Sequence, residues 1–473
     1  MLTNAPKASP VAPVTGQRKA AAPHRTAAKV WWYRDNPIAR TSGDEEPEVL
    51  QMERVLSTEL AANVGRRVRL AGWTHRRRVL KSVEFLILRD RAGLAQIVTE
   101  PGALAELGEE TTVAVLGDVV ANADAPGGFE VVRPVIEMLS EPADPPPADL
   151  YRPTLNATLP TLLDQAPVLL RHPARRAVFE LTAAAVTGFR AALDGLGFTE
   201  VHTPKIVASA TESGANVFQL DYFGRPAYLA QSPQFYKKTM VGVFERVYEV
   251  GPVFRAEPHD TARHLAEYIS LDAELGFITD HTDVMAILQP VIAAMLESVS
   301  GTAAVDRLGV TLPAVLDAVP SLHFADALAL VGAKPDATDL APGDERAIGE
   351  WALREHGSDF VFVVGYPMAK RPFYTHPEPD RPEYSNSFDL LFRGVELVTG
   401  GQRLHRYSDY LAALAARGES PESYASYLDT FRHGMPPHGG FAIGLERFVA
   451  RLIGAANIRE TTLFPRDLHR LAP

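Results

Sequence analysis

Cysteine is absent from all 473 residues. That excludes disulfides, thiol nucleophiles and Cys-ligated zinc, and it fits a reducing cytoplasm. No apolar run approaches the roughly 18–20 residues that span a bilayer. The start, MLTNAPKASPVAPVTG, lacks the apolar core of a secretory signal. A cytoplasmic protein without a membrane partner is therefore expected. The phosphate loop G-x-x-x-x-G-K-S/T is missing, as is G-x-G-x-x-G with a following acid, which disfavours a Walker ATPase and a Rossmann dinucleotide site. Acidic residues outnumber basic ones, 58 to 47. The net charge is −11, and taken alone that argues against nucleic-acid binding, because phosphate contacts need Lys and Arg. What is present is ordinary for a globular protein, with 46% apolar and 22% charged residues. The length implies two or three domains.

The charge is unevenly placed. Lys7, Arg18, Lys19, Arg25, Lys29 and Arg34 occur before any acid, and Arg66, Arg67, Arg69, Arg76, Arg77, Arg78 and Lys81 form a second cluster. Residues 1–50 are rich in Ala, Pro and Arg without apolar period, and read as a disordered basic extension, a nucleic-acid-attracting tail or a transit peptide. From 51 to 140, short β-branched stretches with Gly-containing turns predict a small barrel. A basic first strand beside Phe85 suits an OB-fold that stacks bases on an exposed face; a barrel with Phe85 in its core reads equally well. EPADPPPADLYRP opens a stiff linker, placed at 141–172. The remainder, 173–473, begins with a helical period ending at Gly195 and Gly197, followed by strand-rich stretches at 226–278 and 385–403. Between them an Ala-rich helical segment, about 283–355, reads as an insertion.

Three clusters carry chemistry. In ERVYEVGPVFRAEPHDTARHLAEYISLDAELGFI, Arg255 and Glu257 read as neighbours on one strand face, able to hold a phosphate and orient a nucleotide, with Arg263 and His264 adding donors. The alternative is an exposed hairpin with incidental charges. In SNSFDLLFRGVELVTGGQR, Asp389 and Glu396 lie in an apolar strand pair near Thr399. Hard oxygen donors there suit magnesium beside phosphates, or Asp389 salt-bridges Arg393. In GMPPHGGFAIGLER, glycines permit close backbone approach before Arg447 starts a helix.

Taken together these stretches resemble the three motifs of class II aminoacyl-tRNA synthetases, in order: FTEVHTPKI with Pro204, VFRAE…TARHLAEY, and GGFAIGLERF. The likeness runs from the barrel to FPRDLHRLAP and is greatest to the archaeal type of aspartyl-tRNA synthetase. It implies an α+β chain, with an OB-fold that reads the anticodon ahead of an antiparallel sheet flanked by helices. It further implies ATP, magnesium, L-aspartate and tRNA as ligands, and a homodimer formed through Pro204 and the motif 1 helix. Arg255 would hold the α-phosphate and the substrate's main-chain carboxylate. Ala256, Glu257, Arg263, His264, Leu265 and Tyr268 would surround the nucleotide, with Gly444, Leu445, Glu446 and Arg447 on its other side. Glu396 and Thr399 would hold the metal, with Asp389 nearby; Thr replaces the family's Ser at 399. Lys237 and Arg403 would grip the side-chain carboxylate of aspartate, with Gln234 on the pocket wall and Thr399 at its edge. Asp272 and Glu212 would receive the ammonium, and Ser213 departs from the family's glycine in the lid.

The same resemblance places Phe85 and Gln96 at the middle anticodon base, with Arg76 beside them. His75 and Pro126 match the pair found in relatives that charge both tRNA(Asp) and tRNA(Asn), which implies a non-discriminating enzyme. The rival readings are a discriminating aspartyl enzyme, a tRNA-independent paralogue, a non-catalytic RNA-binding relative, and an asparaginyl enzyme. Lys237 disfavours the last.

Overall fold

A computed structural model describes residues 52–208, 216–314 and 318–472. The basic extension and the lid residues Glu212 and Ser213 lie outside the described residues. The first five strands, β1 (Arg67–Val79), β2 (Glu84–Arg89), β3 (Leu94–Thr99), β4 (Thr112–Ala121) and β5 (Phe129–Met138), close into a barrel in the order β1-β2-β3-β5-β4. Alternation along each strand sends Val68, Leu70, Leu86, Leu88, Ala95 and Ile97 inward. The opposite face is polar and basic. There Arg76 faces Ile87, Arg78 faces Phe85, and Ile87 faces Gln96 across the β1–β2–β3 ladder. Phe85 is therefore outside the barrel core, with the Arg78 guanidinium 5.8 Å above its ring.

Beyond the barrel, residues 139–158 carry no helix or strand. Two short helices, α1 (Leu159–Asp164) and α2 (Ala166–Leu169), then lead to the long α3 (Pro173–Gly195). Proline suits the first position of α3 because that N–H has no helical partner, and the His172 side chain accepts from Ala174 N–H as a cap. The chain turns out of α3 through Gly197, at φ +77°. An apolar stripe of Ala177, Leu181, Ala185 and Phe189 is buried.

Strands β6 (Thr199–Glu200), β7 (Ile206–Val207), β8 (Gln219–Tyr222) and β9 (Arg225–Leu229) precede α4 (Gln234–Phe244), β10 (Arg246–Phe254) and β11 (Glu267–Gly276). Next come α5 (His281–Ser300), α6 (Ala303–Leu308), β12 (Ser321–His323), α7 (Phe324–Val331), α8 (Pro342–His356) and β13 (Phe360–Val364). The chain closes with β14 (Ser387–Phe392), β15 (Val395–Arg403), α9 (Tyr407–Ala416), α10 (Ala425–Asp429), β16 (His438–Gly444) and α11 (Leu445–Ile453). Eight strands form one sheet, β12-β13-β14-β15-β16-β11-β10-β6. It is antiparallel except at the two edge pairs, β12–β13 and β6–β10. One face packs on α3, α5 and α11 around Phe189, Met295, Phe441 and Phe448.

The strand-rich stretch 226–278 holds β10, β11 and most of β9, with α4 between β9 and β10. The Ala-rich helical stretch expected at about 283–355 holds α6, α7, α8 and most of α5; α5 sits in the core through Val284, Leu288, Val291 and Met295, and β12 extends the sheet. Helix α5 is buried along one face, so its apolar sequence reflects contact with the sheet and α3. Among the described residues it is the one helix long and apolar enough to cross a membrane.

Candidate active site

The sheet face away from that core carries the polar residues, and strand register brings them together. Asp272 on β11 lies opposite Ala442 on β16, which lies opposite Thr399 on β15, which lies opposite Asp389 on β14. In the adjoining row Glu274 faces Gly440, and Gly440 faces Gly401. Small residues on β16 thus form a floor between the charged ones. A Cβ at Gly440 would collide with the Ala273 carbonyl and the Glu274 carboxylate, so glycine is needed there for close approach.

Helix α4 delivers Lys237 to this floor. Its Nζ lies 3.0 Å from Asp272 Oδ1 and 3.1 Å from Glu274 Oε2, with all three side chains at most 1% exposed. On the far side Arg403 Nε is 3.0 Å from Glu274 Oε1, and Arg403 Nη2 donates to the Gly440 carbonyl. Burial alone would raise the Glu274 carboxyl, but Arg403 and Lys237 together hold it down at about 2. Gln234, on the first turn of α4, is also buried. Ser270 donates to Asp272 Oδ2 at 2.5 Å. Sequence reasoning missed Glu274, Ser270 and Lys238. Lys238 is fully buried, with Nζ 3.0 Å from the Tyr374 ring centroid and further rings from Phe235 and Tyr427 around it. The doubled lysine in QFYKK was the available signal. His438, facing Arg403 across β15–β16, is pushed by burial down to about 4 and is neutral.

Adjacent to this polar end is a cavity of about 380 Å³. Arg255, Glu257, Arg263, His264, Leu265 and Tyr268 line one side, and Glu396, Thr399, Gly444, Glu446 and Arg447 the other. Contrary to expectation, Arg255 and Glu257 do not share a strand face. Strand β10 ends at Phe254, so the two share the cavity through the loop that follows and not through strand alternation. Ala256 and Leu445 do not line it, and the Leu445 side chain belongs to the core beneath. The structure adds Ser270, Ala442, Asp467 and Leu468 to the wall. Asp467 is held by Arg459 at 2.5 Å, and Arg459 reaches Asp260 at 3.0 Å, which ties the C-terminal segment to the β10–β11 loop. Arg447 Nη1 donates to the Glu396 carbonyl at 2.7 Å. Glu446, pushed by burial up to about 7, accepts from Ile269 N–H with both oxygens.

The residues fit magnesium. Thr399 Oγ1 lies 3.2 Å from Glu396 Oε1, and both face the cavity. Magnesium takes one or two protein oxygens plus substrate phosphates, rather than a full protein cage. Among the described residues no cluster of three or more His, Cys, Asp or Glu in ligating geometry occurs. Asp389 is engaged otherwise: it pairs with Arg371 at 3.1 Å, and burial pushes its carboxyl up to about 6. The Asp389–Arg393 pair does not form, because Arg393 instead binds Asp359 at 3.2 Å.

On the barrel's basic face lies a second cavity, of about 440 Å³. His75, Arg76, Gln96 and Pro126 all line it, together with Arg78 and Ile87; Phe85 adjoins it through Arg78. His75 is pushed down to about 4 by burial and by Arg89, whose Nη1 is 3.3 Å from His75 Nδ1. Arg89 in turn makes a double hydrogen bond to Glu110. Gln96 donates to Glu130 at 3.0 Å.

A family model described as "tRNA synthetases class II (D, K and N)" matches residues 159–468. The aspartate–tRNA(Asp/Asn) ligase of Thermus thermophilus is 48% identical over 425 residues, which cover 89% of this chain and 100% of that relative. The corresponding ligase of Deinococcus radiodurans is 46% identical over 433 residues, covering 89% and 99%. Among solved structures, asparaginyl-tRNA synthetase of Pyrococcus horikoshii with asparaginyl-adenylate superposes with a TM-score of 0.81 at 29% identity, covering 89% of this chain and 100% of that one. Aspartyl-tRNA synthetase of Entamoeba histolytica gives 0.78 at 26% identity, covering 92% and 96%. The motifs in strand register, the cavity they line and these likenesses agree: the chain belongs to the class II tRNA synthetases of the D, K and N group.

Proposed function

We propose that the protein ligates L-aspartate to tRNA(Asp) and tRNA(Asn), forming aspartyl-adenylate from ATP and transferring the aspartyl group to the terminal adenosine. The observation that carries the amino-acid choice is the charge balance at the polar end of the site. Lys237, Lys238 and Arg403 stand against Asp272 and Glu274, all buried, and with Asp272 taken up by the substrate ammonium an anionic side chain on the ligand offsets part of the remaining positive charge. Asparagine would leave it uncompensated. The fold likeness to asparaginyl enzymes gives a second reading its basis, and these cations weigh against it. The choice of tRNA rests on His75 and Pro126 in one cavity and on the named activity of the relatives.

In this mechanism Arg255 binds the α-phosphate and the main-chain carboxylate, and offsets charge as the carboxylate attacks in line. Arg263, His264 and Arg447 hold the rest of the nucleotide, with Tyr268 against the adenine. Asp272 receives the substrate ammonium. Magnesium held by Glu396 and Thr399 would neutralise phosphate charge when bound. Among the described residues no side chain stands in the place of a general base for either step, so orientation supplies most of the rate. We further place the protein in the cytoplasm as a homodimer, with Pro204 and α3 at the subunit contact; β6, beside Pro204, is a sheet edge.

Aminoacylation of tRNA(Asp) and tRNA(Asn) transcripts with labelled aspartate and asparagine tests the reading. Aspartate on both transcripts is expected. Charging of tRNA(Asp) alone would defeat the dual specificity, and asparagine incorporation would defeat the amino-acid assignment.

A further inference from the structure

One wall of the barrel cavity does not come from the barrel. Tyr151 lies beyond β5, in the connection to α3, yet it lines the cavity beside His75, Arg76, Gln96 and Pro126. Its ring packs under the Arg76 guanidinium, 4.2 Å from the centroid. The connection is pinned at this point on both sides. Leu150 is 1% exposed. Arg152 is held through its main chain: His172 Nδ1 accepts from Ala174 N–H, so Nε2 carries the ring proton and donates to the Arg152 carbonyl at 2.9 Å. His172 is itself 1% exposed and kept neutral by burial. Tyr151 is thus fixed between the barrel and the cap of α3, and is not the tip of a floppy linker.

We infer that Tyr151 is a stacking wall for an anticodon nucleobase, supplied by the interdomain connection. The inference rests on the proposed tRNA function and adds a residue to it. Every base presents a π face, and an aromatic ring paired with a guanidinium stacks on it whatever the base, while Arg76 and Arg78 meet the adjoining phosphates. Because the ring is held in advance, little order has to be imposed on binding. A base in this cavity touches the barrel and the segment anchored to α3 together.

The test uses full-length protein with Tyr151→Ala and Tyr151→Phe. The substrates are intact tRNA(Asp) transcript and transcripts carrying an abasic site at each anticodon position in turn. Tyr151→Ala should raise KM for intact tRNA by roughly 5- to 100-fold, leave aspartate-dependent ATP–pyrophosphate exchange unchanged, and be restored by Tyr151→Phe. At one abasic position the parent and Tyr151→Ala should converge. An unaltered KM in Tyr151→Ala, or a full loss that persists at every abasic position, overturns the inference while the tRNA function stands. Failure of the parent to charge any transcript overturns that function, and this role of Tyr151 with it.

Discussion

A buried charge acts at a distance through a medium that screens it poorly, and two residues here are informative for that reason. Lys238 is in the aromatic cage behind Glu274 and lowers the Glu274 carboxyl along with Lys237 and Arg403. Lys238→Met should reduce kcat/KM for aspartate by about tenfold and leave the much weaker use of asparagine unchanged. Pyrophosphate exchange with both amino acids measures it, and an equal fall for both would make Lys238 a packing residue only. His75 gives a pH signature. Its folded value of about 4 lies below its ordinary 6.5, so between those limits the unfolded chain takes up a proton that the folded one does not. This residue therefore subtracts stability as pH falls through that window. His75→Gln should lose less stability than the parent between pH 7 and pH 5, by about 2 kcal/mol, as read by denaturant unfolding at each pH. No difference would mean that His75 titrates normally.

Helices α3 and α5 pack closely against each other. A Cβ at Gly188 would meet the Ala294 carbonyl and lie 2.8 Å from Met295 Cα. These are backbone atoms that cannot turn aside, so Gly188→Ala should separate the helices and destabilise the fold by about 1–3 kcal/mol. Denaturant midpoints would show it; an unchanged midpoint would mean that the pair slides freely. At this scale much was legible in the sequence. The β10–β11 hairpin, the β14–β15 pair and the strand running through Gly444 into α11 announce themselves by apolar runs with glycine breaks, and the barrel by its short β-branched stretches. The rest depended on pairing across the chain. Asp389 takes Arg371, not the nearer Arg393, because β14 register and burial decide, and sequence spacing does not report either. Glu274 looked like one more acid in a strand until Lys237 and Arg403 arrived from other elements. A three-residue strand such as β12 has too little pattern to register, and α5 hid its sheet-facing role inside an Ala-rich stretch.

Over the whole molecule, charge is sorted by place. The net charge is −11, yet the chain before residue 35 has six basic residues and no acid, and the barrel cavity has Arg76 and Arg78. Removing residues 1–34 should leave pyrophosphate exchange unchanged, raise KM for tRNA, and flatten the dependence of that KM on salt, because fewer counterions are released on binding. Aminoacylation across a salt series measures it. An identical slope would show that the extension makes no phosphate contact.

Glu274 joins α4 to β15 by gripping Lys237 with one oxygen and Arg403 with the other. The protein therefore carries its own caliper. The gap between the two cations is set by an internal carboxylate, before and independently of any amino acid. On the proposed function, the side-chain carboxylate of aspartate would meet two cations whose spacing Glu274 already sets. On that reading glutamate, longer by one methylene, would have to buckle or lift α4 from the sheet.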